Sequence, residues 1–295
     1  MNTKKSLFFG SATAIVTPFA DGKIDYDSFG RLIEFQLSQG TDAIVVLGTT
    51  GEAPTIYEDE RNKLIVFARD TISGRVPLIV GTGSNATSVA IRYTKTACEL
   101  GADGCLVVSP YYNKATPKGL IEHFKAIAES VSTPIIIYNV PGRTGVNIPI
   151  EVYGELKSIP NIIGVKEASG SLGYLTELMQ AYGNSYDVYT GCDELILPTL
   201  ALGGKGVITV VGNLLPRLAS RLCYEFKNGN IKKAREIQLY LNPLIKELFK
   251  EVNPIPVKYA LYKMGLCQNE YRLPLCKSER EKEMLDILSQ YGLIN

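Results

Sequence analysis

Short apolar runs alternate with amphipathic stretches at a regular interval along most of the chain. The runs at residues 12–17, 43–47, 78–81, 104–109, 134–138, 162–166, 187–190 and 206–210 are rich in Ile, Val and Ala. Several are apolar at consecutive positions, as in strands covered on both faces of a parallel sheet. Between them, residues 27–39, 57–71, 86–100, 117–131 and 171–182 repeat apolar positions at helical spacing. Eight such βα units fill roughly the first 225 positions, close to the usual allotment for a closed barrel. The pattern predicts an α/β fold, a (β/α)8 TIM barrel. An open doubly wound sheet is the rival, but it does not require eight successive units of such even length.

After about residue 226 the alternation stops. Helical patterns follow at 231–252, 257–264 and 278–291, the first two broken by Asn253-Pro-Ile-Pro256. No internal repeat, low-complexity segment or linker intervenes. The expected organisation is therefore a catalytic barrel over 1–225 and a C-terminal helical subdomain over 226–295, which covers the barrel or joins subunits.

Composition narrows the partners. Of the 295 residues 45% are hydrophobic, enough for a large core, and 31 Lys and Arg balance 30 acidic residues. That balance leaves no footprint for nucleic acid or an anionic membrane surface, and no apolar run approaches the roughly 20 residues of a membrane span. A small neutral or zwitterionic partner is expected. Six cysteines without a C-x-x-C pair read as reduced thiols, mostly buried, and place the chain in a reducing, cytoplasmic compartment. The single histidine, His123, lies in a helical pattern and reads as a surface residue; its solitude argues against histidine-based metal sites and a Ser-His-Asp triad. Lys4-Lys5-Ser6 followed by an apolar run imitates a signal peptide. The same segment ends in Thr17-Pro18 and an Asp21-Gly22 turn, and the barrel needs it as its first strand.

In such a barrel, function collects at the C-terminal tips of the strands. The sixth strand ends on Lys166, with Ile162, Gly164 and Lys166 expected on one face and the glycine leaving space beside the lysine. A lysine there in isolation packs its stem on apolar neighbours and sends its ammonium to water. The second strand is followed by Gly48-Thr49-Thr50-Gly51-Glu52, either a plain turn or a pair of hydroxyls and amides able to hold a carboxylate. The fourth leads into Pro110-Tyr111-Tyr112-Asn113, whose phenols are core aromatics or proton carriers. The fifth ends in Tyr138-Asn-Val-Pro-Gly-Arg143-Thr-Gly145. The seventh ends in Thr190-Gly191-Cys192-Asp193, with Asp193 expected to cap the next helix. Gly203-Gly-Lys-Gly206 lacks the spacing of a phosphate loop.

These tips permit one coherent chemistry. A lysine amine attacks a ketone only when unprotonated, and an ordinary one is free in only about one molecule in a thousand at neutral pH, so it needs a sheltered place. An imine with an α-keto acid makes the adjacent methyl carbon acidic. Tyrosine and threonine hydroxyls can then move the proton, Thr49 and Thr50 can anchor the acid group, and no histidine is required. Arg143 can clamp a second carboxylate, although a lone loop arginine is more often solvated.

Taken together, Gly48-Thr-Thr-Gly-Glu52, Tyr111-Tyr-Asn113, Tyr138-Asn-Val-Pro141, Arg143-Thr-Gly145, Gly164-Val-Lys-Glu-Ala168 and Asn253-Pro-Ile-Pro-Val-Lys258 resemble the 4-hydroxy-tetrahydrodipicolinate synthase family, formerly dihydrodipicolinate synthases, of the pyruvate-dependent class I aldolase superfamily. Each motif alone is modest; in this order and spacing, along essentially the whole chain, they are specific. The resemblance implies a metal-independent lyase that condenses pyruvate with L-aspartate 4-semialdehyde on the route to diaminopimelate and lysine. It implies a covalent pyruvate imine on Lys166 and no other cofactor. Tyr138 would assist imine formation and move protons, and Thr49 and Tyr112 would complete a proton relay. Thr49 and Thr50 would hold the pyruvate carboxylate, and Arg143 the carboxylate of the semialdehyde. Ile208, through its backbone carbonyl, and Gly191 match further site positions.

In the family the residue matching Tyr112 reaches across a dimer interface, with Tyr111 beside it, commonly in a homotetramer built as a dimer of dimers, so a monomer is expected to be nearly inactive. Glu58, Arg61 and Val89 stand where lysine-inhibited members carry two histidines and a glutamate, and weak or absent inhibition by lysine is expected. Two alternatives remain at this stage. One is a sibling such as N-acetylneuraminate lyase or a 2-keto-3-deoxy sugar acid aldolase, from which Arg143 discriminates; the other is a non-catalytic barrel that binds small acids.

Overall fold

The structure, a computed structural model, describes residues 6–294. Lys4 and Lys5 of the leader-like segment lie outside the described residues. Ten strands form in chain order: β1 (Gly10–Ala14), β2 (Phe19–Ala20), β3 (Lys23–Ile24), β4 (Ala43–Val46), β5 (Leu78–Gly81), β6 (Gly104–Val108), β7 (Ile135–Asn139), β8 (Ile162–Glu167), β9 (Asp187–Thr190) and β10 (Gly206–Thr209). Eight of them close a barrel in the order β1-β10-β9-β8-β7-β6-β5-β4, each pair parallel. The predicted fold class is correct. The remaining two, β2 and β3, form an antiparallel hairpin across Asp21 and Gly22, whose φ angles of 51° and 75° suit a two-residue hairpin turn.

Closure explains the continuous apolar runs, because both faces of each strand are covered. Ala12, Ala43, Val45, Leu106, Tyr189 and Ile208 fill the interior, while Ile44, Val80, Val107, Ile137, Val165 and Val207 face outward against the helices. Small side chains on β1 and β4 make room for large ones opposite. Phe8, just before β1, stacks on Tyr189 at 4.3 Å between ring centroids and accepts the Tyr189 hydroxyl on its carbonyl, plugging the end of the barrel remote from the strand tips.

The β8 strand departs from simple alternation. Ile135 pairs with Ile162 but Ile136 with Gly164, so Ile163 is an extra residue that inverts the facing. Ile162 consequently packs outward with Val165, not on the face of Lys166 as the alternation rule predicts. Nor does Gly164 leave open space: a Cβ there would lie 2.7 Å from the Asp187 carbonyl oxygen, so the glycine admits the close approach of β9.

The helices are α1 (Tyr26–Ser38), α2 (Glu58–Ile72), α3 (Thr87–Glu99), α4 (Pro117–Glu129), α5 (Pro141–Thr144), α6 (Ile150–Leu156), α7 (Leu172–Tyr182), α8 (Ile196–Ala201), α9 (Pro216–Lys227), α10 (Ile231–Leu248), α11 (Ile255–Lys263) and α12 (Glu281–Gln290). Side-chain caps set several starts. Asp25 accepts from the Ser28 amide, Thr116 from Gly119 with Pro117 behind it, and Ser171 from Tyr174, each satisfying an amide that the helix leaves unpaired. The α10 helix ends four residues before the predicted 252, because the chain leaves it to carry a buried Asn253 into the mouth of the barrel. Among the described residues no helix is long and apolar enough to cross a membrane. All six cysteines are free, with Cys276 exposed and the others buried or half-buried.

His123 is not a surface residue. It faces inward from α4, shares a hydrogen bond between its Nδ1 and Thr87 Oγ1 at 3.0 Å, and is buried. The apolar side of an amphipathic helix has taken an imidazole with one polar partner. Burial pushes its pKa down to about 4, below the roughly 6.5 of an unfolded histidine. The unfolded chain therefore binds the extra proton first as pH falls, and the contribution of His123 to stability is complete above about pH 6.5 and lost towards about pH 4, up to about 3 kcal/mol. His123→Asn, which can keep the Thr87 contact without titrating, is expected to flatten this loss; denaturant midpoints of parent and variant at pH 7 and pH 5 check it, and parallel shifts refute it.

Candidate active site

Three strands bring the central groups to one level. Lys166, the penultimate residue of β8, pairs in register with Tyr138 on β7 and Tyr189 on β9. The Lys166 side chain is buried, and its Nζ lies 4.3 Å from the centroid of the Tyr138 ring. Gly191 makes room for it: a Cβ there would stand 2.6 Å from Lys166 Cε. Space beside the amine thus comes from the residue that follows β9 and not from Gly164.

The strand ends are tied on their outer side. Buried Asn139 donates through Nδ2 to Glu167 Oε2 at 2.7 Å, and the Ser169 amide donates to Glu167 Oε1 at 2.6 Å. Burial raises the Glu167 carboxyl above the usual carboxylate range, against the pull of these hydrogen bonds. Because neighbours along a strand face opposite ways, fixing Asn139 and Glu167 outside fixes Tyr138 and Lys166 inside.

The loop after β4 is a tight turn. Leu47 and Glu52 at its two ends have φ of 55° and 54°, a left-handed conformation that non-glycine residues adopt only when their surroundings hold them there. Thr17 Oγ1 donates to the Gly51 carbonyl at 2.8 Å. Buried Thr50 accepts at Oγ1 from Asn253 Nδ2 at 3.0 Å, which leaves its own O–H free to donate to a ligand. Half-buried Thr49 stands beside it.

A cavity of about 490 Å³ opens above these groups, lined by Thr49, Tyr138, Arg143, Asn253, Tyr111 and Arg61 among others. Exposed Arg143, on α5, donates from Nη2 to the Asn253 carbonyl at 3.1 Å. Arg61 is buried, donates to the Gly81 carbonyl at 2.7 Å and stacks 4.2 Å over the Tyr93 ring. Glu58 turns away to pair with Arg92 at 3.1 Å. The cavity therefore presents two guanidinium groups, and the one carboxylate on its wall, Glu52, is neutralised by Lys258 at 2.6 Å.

The structure gathers Lys166, Tyr138, Thr49, Thr50, Arg143 and Gly191 at one end of the barrel, with Ile208 in the interior cluster beside Tyr138 and Tyr189. It does not bring Tyr112 to them: that side chain is 91% exposed, its φ is 70°, and it does not line the cavity. Tyr111 stands at the cavity wall, 36% exposed. Burial and the nearby Glu194, Glu167 and Asp193 push the Cys192 thiol up to about 12, so it stays protonated and is no nucleophile. Asp193 does not cap the helix that follows it. Its Oδ2 accepts from the amides of Val210 and Val211 at 3.0 and 2.7 Å, because the end of β10 lies beside it with those donors unpaired.

Asn253, Glu52, Lys258, Asn139 and Glu167 carry no expected role by sequence pattern alone. The available signals were Lys258 as a lone cation in the apolar run Pro256-Val-Lys-Tyr-Ala-Leu261, and an acid closing a glycine turn. Among the described residues no group of three or more His, Cys, Asp or Glu could hold a metal ion. What the arrangement can do is covalent: an amine and a phenol sheltered together can trap a carbonyl, beside hydroxyls and guanidinium groups suited to carboxylates.

Known proteins resemble the chain along nearly its whole length. Residues 7–290 match the Dihydrodipicolinate synthetase family. The 4-hydroxy-tetrahydrodipicolinate synthase of Alkaliphilus oremlandii (strain OhILAs) is 48% identical over 290 residues, covering 98% of this chain and 100% of that one. The crystal structure of dihydrodipicolinate synthase from Aquifex aeolicus matches with a TM-score of 0.95 at 47% identity, over 97% of this chain and 99% of that one. That of the chloride-inhibited dihydrodipicolinate synthase from Acinetobacter baumannii complexed with pyruvate matches with a TM-score of 0.94 at 42% identity, over 97% and 99%.

Proposed function

The chain belongs to the dihydrodipicolinate synthetase family, and from that premise we propose that the Lys166 amine captures pyruvate as an imine and passes it to L-aspartate 4-semialdehyde. The activity is 4-hydroxy-tetrahydrodipicolinate synthesis, a lyase reaction on the route to diaminopimelate and lysine. The observation that carries the residue assignment is the buried lysine 4.3 Å from the ring of Tyr138, which itself lines a cavity with Thr49, Arg143 and Arg61 on its wall.

In this mechanism Nζ attacks the keto carbon of pyruvate, and the Tyr138 phenol protonates the departing oxygen as water leaves. The Thr50 hydroxyl and Thr49 receive the pyruvate carboxylate. The protonated imine draws electrons from the methyl group, which loses a proton to the hydroxyl relay of Tyr138, Thr49 and Tyr112. The enamine carbon then attacks the aldehyde of the second substrate, whose carboxylate Arg143 holds. The amine of that substrate finally attacks the imine carbon, closing the ring and releasing Lys166. The Ile208 carbonyl and Gly191 bound the pyruvate side of the pocket, and no cofactor beyond the covalent imine is used. Arg143 favours this reading over the sugar-acid aldolases, which must recognise hydroxyls.

Tyr112 acts in the site of a second subunit, in a homotetramer built as a dimer of dimers with Tyr111 in the interface. Its exposure and left-handed backbone within one chain support this. Barrel residues 1–225 carry the chemistry in the cytoplasm, and 226–295 form a helical subdomain over it. Arg61 adds positive charge where a lysine effector would place its amines, and Val89 offers them no carboxylate.

Three outcomes are expected. Incubation with pyruvate and borohydride fixes one reduced imine on Lys166, read by mass spectrometry of peptides, and Lys166→Ala abolishes it; a labelled site elsewhere sinks the assignment. Mixed and reassembled Tyr112→Phe and Lys166→Ala subunits, each nearly inactive alone, regain about a quarter of parental activity, the statistical yield of one intact site in half the dimers; no recovery shows that Tyr112 does not act across subunits. Lysine inhibits weakly or not at all, and half-inhibition below millimolar concentration in a steady-state assay contradicts this.

A further inference from the structure

We propose that Lys258 is a positioning residue for the substrate-carboxylate loop, acting through its ion pair with Glu52. The proposal rests on the reading that Thr49 and Thr50 receive the pyruvate carboxylate.

Lys258 rises from α11 in the C-terminal helical region and meets Glu52 at 2.6 Å, both side chains sealed from solvent. The Phe19 ring centroid lies 4.1 Å from Lys258 Nζ and that of Tyr271 5.1 Å. The Lys258 ammonium is the main charged partner of the Glu52 carboxylate, and the backbone and guanidinium of Arg272 add a weaker pull on it. Burial raises the Glu52 carboxyl and lowers the Lys258 amine, and their mutual attraction opposes both shifts.

An apolar pair of the same volume would hold these elements together at least as well, since a buried ion pair seldom stabilises more than hydrophobic packing does. What the charges add is a fixed separation and direction. Glu52 needs both, because its backbone is left-handed at φ 54° and closes the turn that presents the two threonines. Its amide donates to the Thr49 carbonyl at 3.1 Å, and the Gly51 amide donates to Gly48 at 3.1 Å, so a displaced Glu52 moves the turn as a unit.

The same segment grips the turn a second time. Asn253, five positions before Lys258, binds Thr50 Oγ1 through its side chain and Arg143 through its carbonyl. Lys258 thus holds one end of a strap that sets where the Thr50 hydroxyl points. Arg143 is tied to this segment only through the Asn253 carbonyl, whereas the threonine turn is also held through Glu52 itself, so the pair affects pyruvate more than the second substrate.

The decisive variant is the double substitution Glu52→Met, Lys258→Met, which comes close to both volumes and leaves neither an unpaired charge nor an unpaired amide buried; Lys258→Met alone is measured beside it. Steady-state kinetics of the double variant are expected to show KM for pyruvate raised about tenfold, the KM for aspartate semialdehyde changed less than about twofold, and a thermal midpoint near that of the parent. The pyruvate concentration for half-maximal borohydride trapping on Lys166 rises in parallel. A folded double variant whose pyruvate KM stays within about twofold of the parent overturns the proposal and leaves the pair a packing element. If the parent itself gives no pyruvate adduct on Lys166, the functional reading fails instead.

Discussion

A parallel sheet closed on itself has an inside and an outside, and a side chain reaches the inside only if its position along the strand has the right parity. On β8 that parity is set by one extra residue. Because Ile163 interrupts the pairing between Ile135 and Ile136, Ile162 packs outward while Lys166, four residues on, enters the barrel beside Tyr138. With strict alternation those two would share a face. The slip lets an outward-packed start of the strand coexist with an inward amine at its end, and Gly164 allows β9 close enough to shield that end. Every later step, from the room left by Gly191 to the outer clamp between Asn139 and Glu167, refines the placement of an amine that the slip has already turned inward.

The barrel was legible in the sequence because two periodicities announce it: consecutive apolar positions for strands covered on both faces, and helical spacing between them. Lys166, Tyr138, Arg143 and the paired threonines were legible because strand tips are where barrels keep their chemistry. The misreadings share a cause. Periodicity describes an average environment, whereas the bulge at Ile163, the buried face that took His123 and the amides that drew Asp193 away from its helix are single contacts. Asn253 and Lys258 lie 203 and 206 residues from the threonine and glutamate they hold, and no local pattern records that meeting.

Electrostatics divide the molecule in a consistent way. Two framework ion pairs are matched internally, buried Lys258 by Glu52 and half-buried Arg272 by Glu60. The cations that line the cavity are not: Arg143 and Arg61 are held by carbonyl oxygens, and Arg61 also by an aromatic ring. Carbonyl groups orient a guanidinium without cancelling its charge. The cavity is left net positive, which favours entry of carboxylates, and both substrates of the proposed reaction carry one.

Backbone strain points to the same division of roles. Leu47 and Glu52 adopt left-handed angles, a conformation that costs on the order of 1–3 kcal/mol where non-glycine residues are forced into it, and each is buried where neighbours hold it in place. Tyr112 adopts the same region at φ 70° while 91% exposed, with nothing from its own chain packed around it. Any cover for a ring so exposed comes from outside its own chain. On the reading proposed above it arrives with a second subunit, whose site takes the phenol and covers the ring. The left-handed turn that leaves Tyr112 unsupported in one chain is then the feature that aims it at the next.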